Sequence, residues 1–124
     1  MMQYTYIFTD KQNYLLCSTS GEVKDVSSLI TYSEAIILET RKLGHSRLLI
    51  DDRALTVDLS PLDVITFSEH LANTDFAKLG IRIAVIYSPR NKEISHVFET
   101  AMTNRSVSFQ TFKDLKDAEE WLTS

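Results

Sequence analysis

Cysteine is nearly absent: Cys17 is the only one in 124 residues. A lone thiol forms no intrachain disulfide and no thiolate zinc cluster, and it fits a reducing compartment. Glycine and proline are scarce too, at three and two. So few of them leave no flexible linker and no glycine-rich loop to cradle a nucleotide phosphate. Neither GxSxG, GxGxxG nor a P-loop occurs. Positive charge is in the minority, with 13 Lys and Arg against 17 Asp and Glu and a net charge of −4. The cations are scattered, from Lys11 through Lys78 to Lys116, and form no stripe that would follow a phosphate backbone. Nucleic acid is therefore excluded as a partner.

No apolar run approaches the roughly eighteen residues that a bilayer-crossing helix needs. The opening MMQYTYIFTDK has neither the basic start nor the apolar stretch of a secretory signal, so a cytoplasmic protein is expected. His45, His70 and His96 stand in separate segments with no HExxH spacing, so no metal and no other cofactor is expected. Cys17, placed in a strand, reads as a small buried hydrophobe.

What remains is well patterned, at 44% hydrophobic residues. Tyr4–Thr9 and Tyr14–Thr19 are rich in aromatic and β-branched residues and read as strands. The four polar residues between them suit a hairpin, hence an antiparallel pair. A helix over Ser28–Leu43 follows, capped by Ser27 or Ser28, stopped by Gly44, with Leu29, Ile30, Ile36, Ile37 and Leu43 toward the core. Arg47–Asp51 is a continuous apolar run of the buried-strand kind. Ser60-Pro61-Leu62-Asp63 is a strong helix start, with a capping hydroxyl, proline at the first position and an early acid, and the helix runs to about Ala72. Arg82–Tyr87 is a further buried strand. A helix to Thr103 carries Ile94, Val97, Phe98, Ala101 and Met102 at core-facing spacing. Val107–Phe112 is the last strand, and Asp114 caps a short terminal helix. The order β-β-α-β-α-β-α-β-α makes one α/β domain over residues 1–124, its helices bridging parallel strands by right-handed crossovers.

That order, the length, and the segments RLLIDDR, RIAVIYS and KDAEEWL resemble the SpoIIAA-like (STAS/SEC14-type) domains across essentially the whole chain. The resemblance implies a five-stranded mixed sheet with an antiparallel N-terminal hairpin strand, the other strands largely parallel, and about four helices. It implies a regulatory or binding module rather than an enzyme. In the anti-sigma factor antagonists of that family, an Asp-Ser-Ser-Gly stretch opens the helix after the third strand, and a kinase phosphorylates a serine there. Here the stretch is Asp58-Leu59-Ser60-Pro61, with Leu59 in place of one serine and Pro61 in place of the glycine. Ser60 is thus the candidate phosphosite, and it also has a sufficient role as helix cap.

Two kinds of function follow. The first is a protein-interaction module presenting Asp51, Asp52, Arg53, Asp58, Ser60 and Asp63. The second binds a lipid or other apolar small molecule beneath the helix after Ser60, with Leu62, Val64, Ile65 and Phe67 as its lid and with peripheral membrane association. A protein partner is expected, a lipid-like ligand is the alternative, and self-association stays open. Asp51 and Asp52, read at the end of the third strand, also suggest a phosphoacceptor receiver, with Lys113 after the last strand. A third carboxylate could come only from Glu22, and the simpler reading has Asp51 accepting loop amides while Asp52 and Arg53 are solvated or paired.

Overall fold

The computed structural model describes residues 4–74 and 80–124, so Lys78 lies outside the described residues. β1 (Tyr4–Asp10) folds back on β2 (Leu15–Val23), followed by α1 (Val26–Lys42), β3 (Arg47–Val57), α2 (Pro61–Ala72) and β4 (Arg82–Ile86). A 3-10 turn over Pro89–Asn91 then leads into α3 (Lys92–Thr103), β5 (Phe109–Phe112) and α4 (Leu115–Leu122). The sheet runs β1-β2-β3-β4-β5, with β1 antiparallel to β2 and the rest parallel. This is the five-stranded mixed sheet with four helices that the element order implies.

The strand order fixes where the helices go. Each crossover from β2 to β5 steps one strand in the same direction. Right-handed crossovers then place α1, α2 and α3 on one face, and α4, after the last strand, covers the other. Alternation along the strands serves both sides. Leu48, Ile83 and Val85 belong to the core beneath α1–α3, while Leu49, Ala84 and Ile86 pack with Ala118 and Leu122 of α4.

Local signals set the helix ends. Ser60 accepts from the Asp63 amide and Asp63 accepts from the Ser60 amide, a reciprocal capping box behind Pro61. The cap of α1 is Asp25 rather than Ser27 or Ser28: its carboxylate takes the Ser28 amide at 2.8 Å, and the helix starts at Val26. An acid at this position also complements the helix dipole, which a serine does not. At the far end Gly44 (φ +78) takes the left-handed conformation, and the His45 amide reaches the Thr40 carbonyl. Leu43 is exposed there instead of joining the core face.

The terminal helix is fastened from two sides. Arg82 Nη1 donates to the Trp121 carbonyl at 2.9 Å, and its guanidinium lies 5.0 Å from the centre of the Trp121 ring. Tyr14 donates its hydroxyl to the Glu119 carboxylate.

The largest departure from the expected elements lies in β2 and β3. Both run on past Thr19 and Asp51, through Val23 and Val57, and Gly21 sits inside β2. Asp51, Asp52 and Arg53 are therefore in the middle of the central strand, not at its carboxyl end. They are level with the ends of the neighbouring strands, since Asp51 pairs with Ile86 and Ile86 with Phe112. β5 starts at Phe109, two residues later than the alternation suggests. Beyond Ile86, among the described residues, no strand lies beside β3 on the β4 side. The buried Asn91 side chain takes that place, donating to the Leu55 carbonyl at 2.7 Å and accepting from the Val57 amide at 3.3 Å. One side-chain amide thus satisfies the Leu55 carbonyl and the Val57 amide, on either side of Thr56, as a residue of a parallel strand would.

Candidate functional site

The charges of β3 mark a β-bulge. Ser18 pairs with Asp51 and Ser20 with Ala54, so Asp52 and Arg53 together oppose the single residue Thr19. An extra residue leaves backbone groups without ladder partners, and side chains of the cluster supply them. The Arg53 amide donates to Asp51 Oδ1 at 3.1 Å, and Thr19 Oγ1 lies 3.1 Å from the Asp51 carbonyl oxygen. The bulge also resets the alternation. Leu48, Ile50 and Asp52 line one side, and after the extra residue Leu55 and Val57 line that same side.

This parity separates the two acids. Asp51 and Arg53 pair with each other, Arg53 Nε 2.9 Å from Oδ1 and Nη2 2.7 Å from Oδ2, and the guanidinium holds the Asp51 carboxyl below its ordinary range. Asp52 turns inward, so the expectation of a solvated or paired Asp52 fails. Thr19 Oγ1 lies 2.5 Å from Asp52 Oδ1 and is the one hydrogen-bond partner of the Asp52 carboxyl among the described residues. Burial raises the Asp52 carboxyl to about 6, the Thr19 bond opposes that rise, and the Asp51 charge adds to it. The effect is mutual. Burial first and the Asp52 charge second push the Cys17 thiol up to about 12 and raise the Tyr4 phenol. Cys17 is fully buried, as a small hydrophobe would be.

Asp52 opens on a cavity of about 90 Å³ between the sheet and α1–α3. Its walls are apolar except for Asp52, Ser33, Asn91, Ser95 and Thr111. Of these, Asp52 is the only Asp, Glu, Lys, Arg or His. Glu99 of α3 accepts from both the amide and the hydroxyl of Thr111, which ties this rim of the cavity to the open edge of β5.

The other sequence-derived candidates do not converge. Asp58 and Ser60 are exposed at the start of α2, with Asp63 half-buried beside them. Asp51 and Arg53 lie on the α4 side of the sheet, and Asp52 is half-buried on the opposite side, at the cavity. Leu62 (71% exposed) and Ile65 (38%) face outward, whereas Val64 (0%) and Phe67 (4%) face the core. Of those four residues only Phe67 lines the cavity. Leu59, standing where the family stretch has serine, packs against the core and anchors the loop. After β4, Asn91 is turned inward, and Ser88 Oγ is buried without a partner among the described residues. The histidines stay apart: His45 is 2.9 Å from Asp10, His70 is 3.6 Å from Glu34, and His96 packs edge-on to Tyr87. Among the described residues, no three of His, Cys, Asp and Glu gather as a metal site would need, and no helix is long and apolar enough to cross a membrane.

Thr19, Ser95 and Tyr4 are the site residues that pattern reading passed over, and Asn91 reads from the sequence as a helix cap only. A signal for the bulge was present: Leu55 and Val57 continue an alternating strand just after the charges.

Comparison with known proteins supports the fold. No family model matches the chain, and a search of curated proteins finds no match. Among solved structures, the chain is similar to an anti-sigma factor antagonist from Mycobacterium paratuberculosis. That alignment has a TM-score of 0.63 at 18% identity and covers 98% of this chain and 95% of the other. It is also similar to a protein with a SpoIIAA-like fold from Shewanella loihica, with a TM-score of 0.55 at 20% identity over 98% and 95% of the two chains. The fold is SpoIIAA-like.

Proposed function

We propose that the chain is a non-enzymatic, cytoplasmic regulatory module of STAS type that docks a partner protein through the start of α2. The observation that carries this reading is the exposure of Leu62 and Ile65 on a helix whose Val64, Phe67 and Leu71 are buried. Exposed apolar side chains ringed by polar groups mark contact surfaces. Asp58, Ser60 and Asp63 are their polar neighbours along the chain. The two acids favour a protein over a membrane, because the anionic headgroups of a cytoplasmic leaflet repel carboxylates. The fold shared with an anti-sigma factor antagonist agrees with a regulatory role.

Ser60 is the candidate switch within this surface. A phosphate on it would meet the free amides at the start of α2, which attract anions. It would also displace the capping box and stand beside the Asp63 carboxylate, so the modification would loosen the helix start as it recharges the surface. Phosphopeptide mapping of the protein from growing cells tests this, and an unmodified Ser60 under all growth conditions ends the proposal.

A second reading rests on the cavity under α2, which suits an apolar small molecule. Its volume of about 90 Å³ is well under the roughly 300–1,000 Å³ of drug-sized ligand pockets, so the guest is a fragment and not a whole lipid. Native mass spectrometry of protein purified from its own host separates the readings. A bound protein whose cross-links map to Leu62–Thr66 supports docking, and a co-purifying small molecule on an otherwise free chain favours the cavity.

A further inference from the structure

The cavity has an unusual polar balance. Almost its whole wall is aliphatic or aromatic, yet the bulge in β3 aims one carboxyl into it. That carboxyl has a single hydrogen-bond partner among the described residues, the Thr19 hydroxyl on Oδ1, and its second oxygen has none. Arg53, the nearest cation in sequence, is turned to the other side of the sheet and occupied by Asp51. The groups around Asp52 can be named element by element. Tyr4 comes from β1, Cys17 and Thr19 from β2, and Asp51 from its own strand. From the helical side come the neutral Ser33 of α1 and Ser95 of α3. None of these brings positive charge. A carboxylate held in an apolar space without a counter-charge is unfavourable, and a cation or strong donor arriving from outside relieves it.

We propose that the cavity beneath α1–α3 binds a small primary amine with an apolar body, its ammonium group against Asp52. This deepens the second reading above and rests on it. The occupant's chemistry follows from the lining: the ammonium meets the one charge present, and the alkyl or aryl body meets the surrounding Leu, Ile, Val and Phe side chains. Anionic amphiphiles such as fatty acids are rejected, because their carboxylate would face Asp52 with no cation between. Size limits the body. A volume of about 90 Å³ holds some six to nine water-sized groups, at about 10–15 Å³ each. A hexyl or benzyl group fits that range.

Titration calorimetry with n-hexylamine, 1-hexanol and hexanoate tests this at pH 7.5, on the full chain and on Asp52→Asn. The wild-type chain is expected to bind hexylamine at least tenfold more tightly than hexanoate, with hexanol between. Asp52→Asn is expected to lose at least tenfold in hexylamine affinity while keeping that for hexanol. Because burial raises the Asp52 carboxyl to about 6, wild-type affinity for hexylamine should also fall as pH drops through that value. This pH arm does not depend on any variant folding. If hexanol binds and hexylamine has no advantage over it, the amine proposal is overturned while the cavity reading stands. If none of the three binds, both are overturned.

Discussion

The two faces of the sheet are built to different tolerances. On the α4 side, Leu49, Ala84, Ile86, Ala118 and Leu122 are each fully buried, and Arg82 and Tyr14 hold the helix in place by directional bonds. On the α1–α3 side a larger core surrounds a cavity with five polar side chains in its wall, and α2 leaves Leu62 and Ile65 outside. One face is closed and the other keeps unspent interactions. Groups whose bonds are all made inside the fold have nothing left for a partner, and the looser face holds the inward Asp52 and the outward apolar pair.

The comparison breaks first if truncations on the two faces behave alike. Leu122→Ala on the closed face is expected to destabilise by about 3–5 kcal/mol, since tight packing leaves little room to collapse. Leu71→Ala, at a wall that already borders a void, forfeits fewer contacts and is expected to fall near about 2 kcal/mol. Urea unfolding of both measures the gap, and equal losses would put the faces on the same footing.

The next largest effect has the opposite sign. Folding raises the Asp52 carboxyl from the ordinary aspartate range to about 6. A raised value means the folded chain holds this proton more tightly than the unfolded one. The resulting stability is fully present below about pH 4 and is lost as pH rises through 6. Asp52→Asn removes that loss and is expected to stabilise the protein at pH 8 by about 1–2 kcal/mol, with no gain below pH 4. Thermal unfolding across that range checks it. Destabilisation at pH 8 would mean that the carboxylate is already neutralised inside the fold.

Ser60→Ala comes third. Losing the capping box at α2 is expected to lower stability by about 1 kcal/mol, and amide exchange should quicken in the first turn of α2 only. Uniform quickening over the sheet would show that α2 is a pillar of the core and not a surface element.

The fold was largely legible in the sequence, because its signals are local and agree with one another. The hairpin of Tyr4–Asp10 with the following strand, the Ser60-Pro61 start of α2 and the stripe ending in Ala101 and Met102 each name their element. The site was legible only in part. Asp51-Asp52-Arg53 drew attention, but charges normally end a strand, and nothing local announces that Thr19 of the neighbouring strand absorbs an extra residue opposite them. That bulge is a pairing event between segments over thirty positions apart. Once it is missed, the parity of Asp52 is lost and the carboxyl appears solvated. Asn91 shows the same limit. An asparagine after Ser88-Pro89 reads as a helix cap, and its bonds to Leu55 and Val57 arise only because β4 stops short of the end of β3.

The smallest effect on stability tests the central claim about the outer surface of α2. Leu62→Asp with Ile65→Asp replaces exposed side chains, so the folded state should change by no more than about 0.5 kcal/mol. Expressed in the host in place of the natural chain, this variant should lose at least tenfold of the partner that co-purifies with the natural chain, at unchanged melting temperature. Retention of that partner at the natural level would contradict docking through α2.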